Sequence, residues 1–212
     1  MKVCVSLLAL CCLAAIPALA QNSRFTGFVG GGFSEPVQDI GTRLNVGWNA
    51  AGGAGLNFNR HAGILVDFMF NDLGINQTTL NSIQVPNGTT RVWGFTLDPV
   101  FRIAPRGEDS PVGMYITGGG GIYHRTVEFT QPAVATVTLF DPFFGILYPA
   151  AIPTNQVLAS YSNYKGGLDI GAGIDFKLGH SNAKLFAEAR YHYIFTAPTA
   201  TTLLPVTFGV RW

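Results

Sequence analysis

Apolar and polar residues alternate along most of the chain after residue 20. Between Leu204 and Trp212 every second residue is apolar, and Thr207 and Arg211 occupy the intervening positions. Because successive side chains of a β-strand point to opposite faces, this pattern predicts a strand with one apolar and one polar face. Eight segments show it: Arg24–Phe33, Leu44–Asn59, Ala62–Phe70, Trp93–Ile103, Val112–Tyr123, Leu168–Lys177, Leu185–Phe195 and Leu204–Trp212.

Alternation by itself fits two architectures. In a water-soluble sandwich the apolar face points into the core, whereas in a membrane barrel it points outward to lipid. The links between predicted strands favour the barrel, because short links (59–61, 104–111, 178–183) alternate with longer ones (34–43, 71–92, 124–167, 196–203). Outer-membrane barrels have short periplasmic turns and longer external loops.

The positions of the glycine and aromatic residues also favour the barrel. The polar face carries many glycines, among them Gly30, Gly53 and Gly171, which suits the narrow interior of an eight-stranded barrel. Aromatic residues gather near the strand ends, as in the girdles at both membrane interfaces. They are Phe25, Phe33, Phe58, Phe70, Trp93, Phe101, Tyr193, Phe195 and Trp212.

The predicted fold is therefore all-β, an eight-stranded antiparallel up-and-down transmembrane β-barrel. Almost every charge in the strands falls on the lumen side, and both signs occur, so we expect paired ions to plug the interior. This lumen network comprises Arg24, Asp67, Asp98, Arg102, Asp169, Asp175, Lys177, Glu188, Arg190 and Arg211. Pro99 does not fit a regular mid-strand position, because proline has no N–H to donate to the hydrogen-bond ladder. We therefore expect a β-bulge at this residue.

The composition argues against two other classes of protein, those that bind nucleic acid and those that are intrinsically disordered. Only 12% of the residues are charged and the net charge is +1, so the chain lacks the basic face that nucleic-acid binding needs. With 48% hydrophobic residues, including 16 Phe, intrinsic disorder is also disfavoured.

The first 20 residues have the pattern of a secretory signal. Lys2 precedes an uncharged apolar run, and Ala18-Leu19-Ala20 supplies the small residues of a cleavage site. Cleavage after Ala20 divides the chain into a signal, 1–20, and a barrel domain, 21–212. All 3 cysteines lie within that signal, which leaves no disulfide or thiolate metal site in the mature chain.

Two segments carry a family resemblance. The segment Pro205–Trp212, with Phe208, Val210 and the terminal Trp212 on one face, resembles the assembly signal of bacterial outer-membrane proteins. Leu185–Tyr193 and the Gly171-Ala172-Gly173 run resemble the eight-stranded OmpA-like barrel superfamily.

The resemblance implies the outer membrane of a Gram-negative bacterium. It also implies lipid as the surroundings, and periplasmic chaperones and the barrel-assembly machinery as partners during biogenesis. We expect a monomer. Full-length OmpA proteins also carry a peptidoglycan-binding domain, which we do not expect here, so cell-wall anchoring is not implied.

Candidate chemistry is sparse. His61, His124, His180 and His192 show no ligand spacing, so we expect no metal site and no cofactor, and His192 fits the interior network. Lipid-modifying enzymes exist among small barrels, and His124, Ser160 and Ser162 are the residues that such a site would use. Nothing in the sequence joins a nucleophile to a base, so no catalytic residue is assigned.

The link 124–167 is long and apolar, and its prolines exclude a membrane helix. It predicts a hairpin that extends strands five and six beyond the membrane, with a proline-rich tip. Large apolar surfaces usually mark interaction sites. We therefore expect a structural or surface-binding role through the external loops, with a narrow porin-like transporter as the alternative and a lipid-modifying enzyme as a further one.

Overall fold

The computed structural model describes residues 24–103, 111–179 and 183–212. The predicted signal 1–20, its cleavage point and His180 lie outside these residues. Within these ranges, no helix is both long enough and apolar enough to cross a membrane.

Eight antiparallel strands form a closed barrel in which each strand pairs with its neighbours in sequence and β8 pairs with β1. The predicted fold class is confirmed. The strands are β1 Phe25–Pro36, β2 Gly47–Asn57, β3 Ala62–Gly74, β4 Asn87–Ile103, β5 Val112–Asp141, β6 Ile146–Lys177, β7 Lys184–Ile194 and β8 Thr201–Arg211.

The two faces of the strands are oriented as a membrane barrel requires. Val66, Ile170 and Phe208 point outward and are 53%, 67% and 53% exposed. Asp175 and Arg190 point inward and are 3% and 6% exposed. Apolar side chains therefore cover the outside of the barrel, and ionised groups lie within it. A soluble sandwich would show the reverse.

The hairpin predicted between strands five and six is confirmed, because β5 and β6 stay paired from Val112–Phe176 up to Asp141–Ile146. Its tip differs from the prediction. Residues 142–145 form the turn, with Gly145 at a φ of 65°, whereas Pro132, Pro149 and Pro153 lie in the paired strands. The link after strand five is thus short, and the length of this region resides in the strands.

The bulge expected at Pro99 is wrong. Pro99 pairs with Ile64 on the β3 side, and the β4–β5 ladder resumes at Val100–Thr117 with the register it had at Leu97–Gly120. The ladder is interrupted there without an inserted residue, since a proline removes one donor but adds no length. The β5–β6 register shifts elsewhere, between Phe129 and Thr130.

Three loops cover one end of the barrel, which we call the loop end. The first contains a 3₁₀ turn, Gln38–Thr42, that buries Ile40. The second contains helix α1, Gln77–Ser82, whose N-cap Asn76 accepts a hydrogen bond from the Thr78 N–H at 2.8 Å. The third is 195–200. The opposite end, which carries both termini of the barrel, is the turn end.

The barrel interior contains two apolar clusters as well as charges. One lies at the loop end and is called the mouth cluster. It comprises Ile40, Leu44, Met69, Leu73, Ile75, Leu80, Val92, Tyr123, Ile194 and Leu203. The other comprises Phe28, Leu65, Val100, Tyr115 and Phe186. The sequence pattern treated the lumen face as polar, and these clusters show that only part of it is.

Candidate functional site: the lumen network and the mouth pocket

Arg190 of β7 is the centre of the lumen network. Its Nη1 donates to Oδ2 of Asp67 on β3 at 2.8 Å and to Oδ2 of Asp98 on β4. Its Nη2 lies 2.7 Å from Oε1 of Glu188, and Nη1 lies 3.6 Å from Oδ1 of Asp169 on β6. One guanidinium thus links four strands across the lumen.

A second group forms around Arg211 of β8. Its Nη1 donates to Oδ1 of Asp175 at 3.3 Å, and its Nη2 donates to the Tyr115 hydroxyl at 3.0 Å. The guanidinium carbon also lies 4.2 Å from the centre of the Tyr115 ring, within cation–π range. The Tyr115 hydroxyl donates to Oε2 of Glu188 at 2.8 Å, which connects this group to Arg190.

Acids outnumber bases in the buried part of the network. Five carboxylates are buried there, whereas Arg190 and Arg211 are the buried guanidiniums. Lys184 supplies a more exposed cation 3.9 Å from Oδ2 of Asp175. Two hydroxyl groups also donate hydrogen bonds to these carboxylates: Thr96 donates to Asp98 at 2.8 Å, and Tyr123 donates to Asp169 at 3.4 Å. The interior charge is therefore of both signs but not balanced.

The space left beside Arg190 is small. A cavity of about 30 Å³ is lined there by Phe28, Asp67 and Thr207 among others. A cavity of that size has room for no more than a few water molecules, since roughly 10–15 Å³ of such space is enough for one. The side chains fill the middle of the lumen, as expected for a barrel of this strand number.

The structure does not bring all the predicted network residues together. The Arg190 guanidinium is contacted by the carboxylates of Asp67, Asp98, Asp169 and Glu188. The ion pair between Arg211 and Asp175 lies beside this group. Arg102 is half-buried. Arg24 and Lys177 are exposed at strand ends of the turn end, so these two residues lie outside the network. The period-two pattern gives a side chain its face but not its depth along the barrel.

His192 lies in the lumen at 3% exposure, and a hydrogen bond of 3.0 Å joins its Nδ1 to the Tyr123 hydroxyl. In the described part of the chain, no three His, Cys, Asp or Glu side chains are grouped so that they could hold a metal ion.

His124 lies on the outer surface, with its ring centre 5.0 Å from that of Trp93 and 4.4 Å from that of Tyr164. Ser160 and Ser162 are exposed on β6 and pair with Glu128 and Thr126. Among the described residues no hydrogen bond joins His124 to either serine, so the three do not form a nucleophile–base pair here.

A pocket of about 240 Å³ opens at the loop end and is called the mouth pocket. Its apolar walls are Ile40 and Leu44 of the first loop, Ile75 of the second, and Val127 and Phe129 of β5. Residues 197–200 of the third loop close one side. Arg125 of β5 reaches into the same pocket, where its Nη1 donates to Oγ1 of Thr201 at 2.9 Å.

This pocket was not predicted from the sequence. The predicted strand five ends at Tyr123, although Arg125, Val127 and Phe129 continue the inward phase of Tyr115 and Tyr123. Extending the period-two pattern would have placed these side chains on the lumen face. The loops that complete the pocket have no periodic signal, so their approach to β5 could not be read from the sequence.

An aromatic belt and a charged group mark the outer surface near the loop end. Trp93 contacts Phe95, His124 and Tyr164. Arg91 lies two positions before Trp93 on β4, nearer the loop end, and its guanidinium is 3.4 Å from the Asp72 carboxylate and 3.1 Å from that of Glu128. Amphipathic aromatics followed by ion pairs are typical of the boundary between hydrocarbon and head groups.

One protein-family model matches the chain, that of the outer membrane protein beta-barrel domain, and the match covers residues 6–211. The chain belongs to this family. The family resemblance read from the sequence is thus confirmed, and the protein is an outer-membrane β-barrel. Among curated proteins no relative matches the sequence significantly.

Solved structures share the fold of this outer-membrane barrel. Neisserial surface protein A has a TM-score of 0.58 at 15% identity, with 88% of this chain and 95% of that chain covered. A major outer membrane protein from Thermus thermophilus has a TM-score of 0.58 at 14% identity, covering 89% and 98%.

Proposed function

We propose that this outer-membrane barrel is a closed, non-enzymatic monomer that acts at the cell surface through the β5–β6 hairpin. The mature protein begins at Gln21, after cleavage of the signal at Ala20. The single observation that carries the proposal is the exposed apolar hairpin, which projects beyond the barrel while the lumen beneath is filled.

The hairpin is unusual in both its length and its surface. From the aromatic belt at His124 to Asp141, β5 continues for roughly 55 Å at about 3.3 Å per residue. At its tip Phe140, Phe143 and Phe144 are 60%, 92% and 77% exposed. Contiguous exposed apolar surface of this kind usually marks an interaction site, and an apolar partner surface such as a lipid bilayer matches its chemistry.

The hairpin role is tested with Phe143→Ser/Phe144→Ser in purified protein held in nanodiscs. Co-flotation with zwitterionic phosphatidylcholine vesicles should fall strongly, because the tip loses its apolar contact area. Asn155→Ser/Gln156→Ser, which changes polar residues of the same hairpin, serves as the control. Equal flotation of both variants and the parent protein would refute a role for the apolar tip.

The closed lumen is tested by single-channel recording in planar bilayers. We expect no steady conductance, because the Arg190 network and the small cavity leave no continuous path. Steady unit conductance would favour the second candidate, a narrow transporter of small solutes. The mouth pocket is the observation in favour of that candidate, since it offers an entry at the loop end.

An enzymatic role is tested by the mass of lipid A from cells that express the protein. We expect no mass shift. A shift that is lost on His124→Ala would overturn the non-enzymatic proposal.

For biogenesis, we infer recognition by the barrel-assembly machinery through Phe208, Val210 and Trp212, with periplasmic chaperones delivering the unfolded chain. Phe208 is 53% exposed on the lipid face, and backbone hydrogen bonds join Trp212 to Gly27 at the closure of the barrel. Deleting Trp212 should slow machinery-dependent insertion more than spontaneous folding into thin vesicles. Equal slowing of both would argue for a structural role only.

A further inference from the structure

The mouth pocket combines an apolar interior with a cation that has no acidic partner. Ile40, Leu44 and Ile75 are at most 9% exposed, so the apolar walls are fixed parts of the mouth cluster. Three loops and β5 together form the pocket, which is about half open to solvent, and its apolar and charged side chains come from four separate segments of chain.

Arg125 provides the charge. The only hydrogen bond of its side chain among the described residues is to the neutral hydroxyl of Thr201, and its Nε is buried without a partner. None of the carboxylates in residues 24–103, 111–179 and 183–212 lies within ion-pair distance of it. A partly buried guanidinium normally has an anionic partner, because removing its charge from water is costly.

The other charges at the pocket add to this field. Arg43 and Asp39 both line the rim and are exposed, so the lining has two cations and one acid. Glu128 follows closely in sequence but points to the outer face, where it pairs with Arg91. The pocket thus favours an anion at Arg125 with an apolar group beside it.

The volume restricts the ligand further. At about 240 Å³ the pocket lies below the range of roughly 300–1,000 Å³ that holds drug-sized ligands. A single short acyl chain suits this volume better than a lipid with several chains.

We propose that the mouth pocket binds a single-chain anionic amphiphile, with its carboxylate at Arg125 and its alkyl chain against Ile40, Leu44 and Phe129. The site is separate from the hairpin contact proposed above, because no tip residue lines the pocket. Loss of one function therefore leaves the other measurable.

The test uses the whole barrel in phosphatidylcholine nanodiscs, with decanoate as the probe and empty nanodiscs as the reference for partitioning. Binding is measured by calorimetry, and its position by methyl NMR shifts of Ile40 and Ile75. Arg125→Gln should weaken decanoate binding by about tenfold or more, since a charge-assisted hydrogen bond is lost. Neutral decanol should bind the parent and Arg125→Gln equally.

Two further variants separate the site from general effects. Arg91→Gln removes an exposed arginine from the outer face and should leave decanoate affinity unchanged. Ala200→Trp fills the pocket and should abolish binding of both decanoate and decanol, in protein whose heat-modifiable gel mobility shows a folded barrel. Equal decanoate affinity of the parent and Arg125→Gln, or the absence of shifts at Ile40, would overturn the proposal.

Discussion

The guanidinium of Arg190 on β7 crosses the lumen and donates to the carboxylate of Asp67 on β3 at 2.8 Å. The two residues are far apart in sequence and lie on strands that do not pair. Their contact joins opposite walls of the barrel, and three more carboxylates meet the same guanidinium. The charged network that fills the interior is therefore centred on this one side chain.

Replacing Arg190 with Met should lower the free energy of unfolding by about 3–5 kcal/mol, because the variant leaves buried carboxylates without their cation. Urea unfolding in lipid vesicles measures the change. Arg91→Met is the matched control, and it should cost about 1 kcal/mol or less, since that ion pair is exposed. Similar losses in the two variants would contradict a central role for Arg190.

Val206→Arg should cost about 2–4 kcal/mol, because it places a charge on the face that meets lipid. Val206→Leu keeps the face apolar and should be nearly neutral. Thr207→Val, one position on, probes the lumen instead, since it removes the hydrogen bond that Thr207 donates to Asn49 at 3.1 Å. Refolding yields and urea titrations in vesicles compare the three. Equal tolerance of Val206→Arg and Val206→Leu would argue against the orientation of β8.

Gly167→Ala should destabilise the barrel by about 1–3 kcal/mol through overpacking. A Cβ at Gly167 would lie 2.8 Å from the Tyr123 ring and 2.8 Å from the Tyr193 carbonyl oxygen. Gly113→Ala is the control, because its Cβ would meet Asp175 Cβ at an ordinary 3.8 Å. The stability of each variant is measured as the temperature at which the band of the folded barrel disappears from the gel. A loss at Gly113→Ala as large as that at Gly167→Ala would refute the steric explanation.

Removing residues 132–155 and joining Gln131 to Gln156 through an Asn-Gly turn should leave the barrel folded. The Gln131 side chain donates to Gln156 at 3.0 Å, so the two positions are already paired at hairpin distance. The removed part is a two-stranded ribbon without a third strand, which adds little stability by itself. Heat-modifiable mobility and urea unfolding should match those of the parent protein. A large loss of stability would show that the ribbon supports the barrel.

The period-two pattern was sufficient to assign faces. Phe28, Tyr115, Tyr123 and Phe186 share the alternating phase of the polar residues although they are aromatic, and each is at most 5% exposed inside the barrel. The strand bounds were less accurate. β4 begins at Asn87 rather than Trp93, and β5 runs on to Asp141 rather than Tyr123, because pairing with a neighbouring strand extends both strands beyond the predicted segments.

What the sequence determined by itself is the set of local properties: the two faces of each strand, the number of strands and the apolar face that meets lipid. Alternation is a property of neighbouring residues, so it can be recognised in the sequence alone. Which charges meet, which lie too near the ends to join them, and how three loops and Arg125 enclose a pocket were decided only by the tertiary structure. Those contacts depend on strand register and barrel closure, which bring together residues that no local pattern connects.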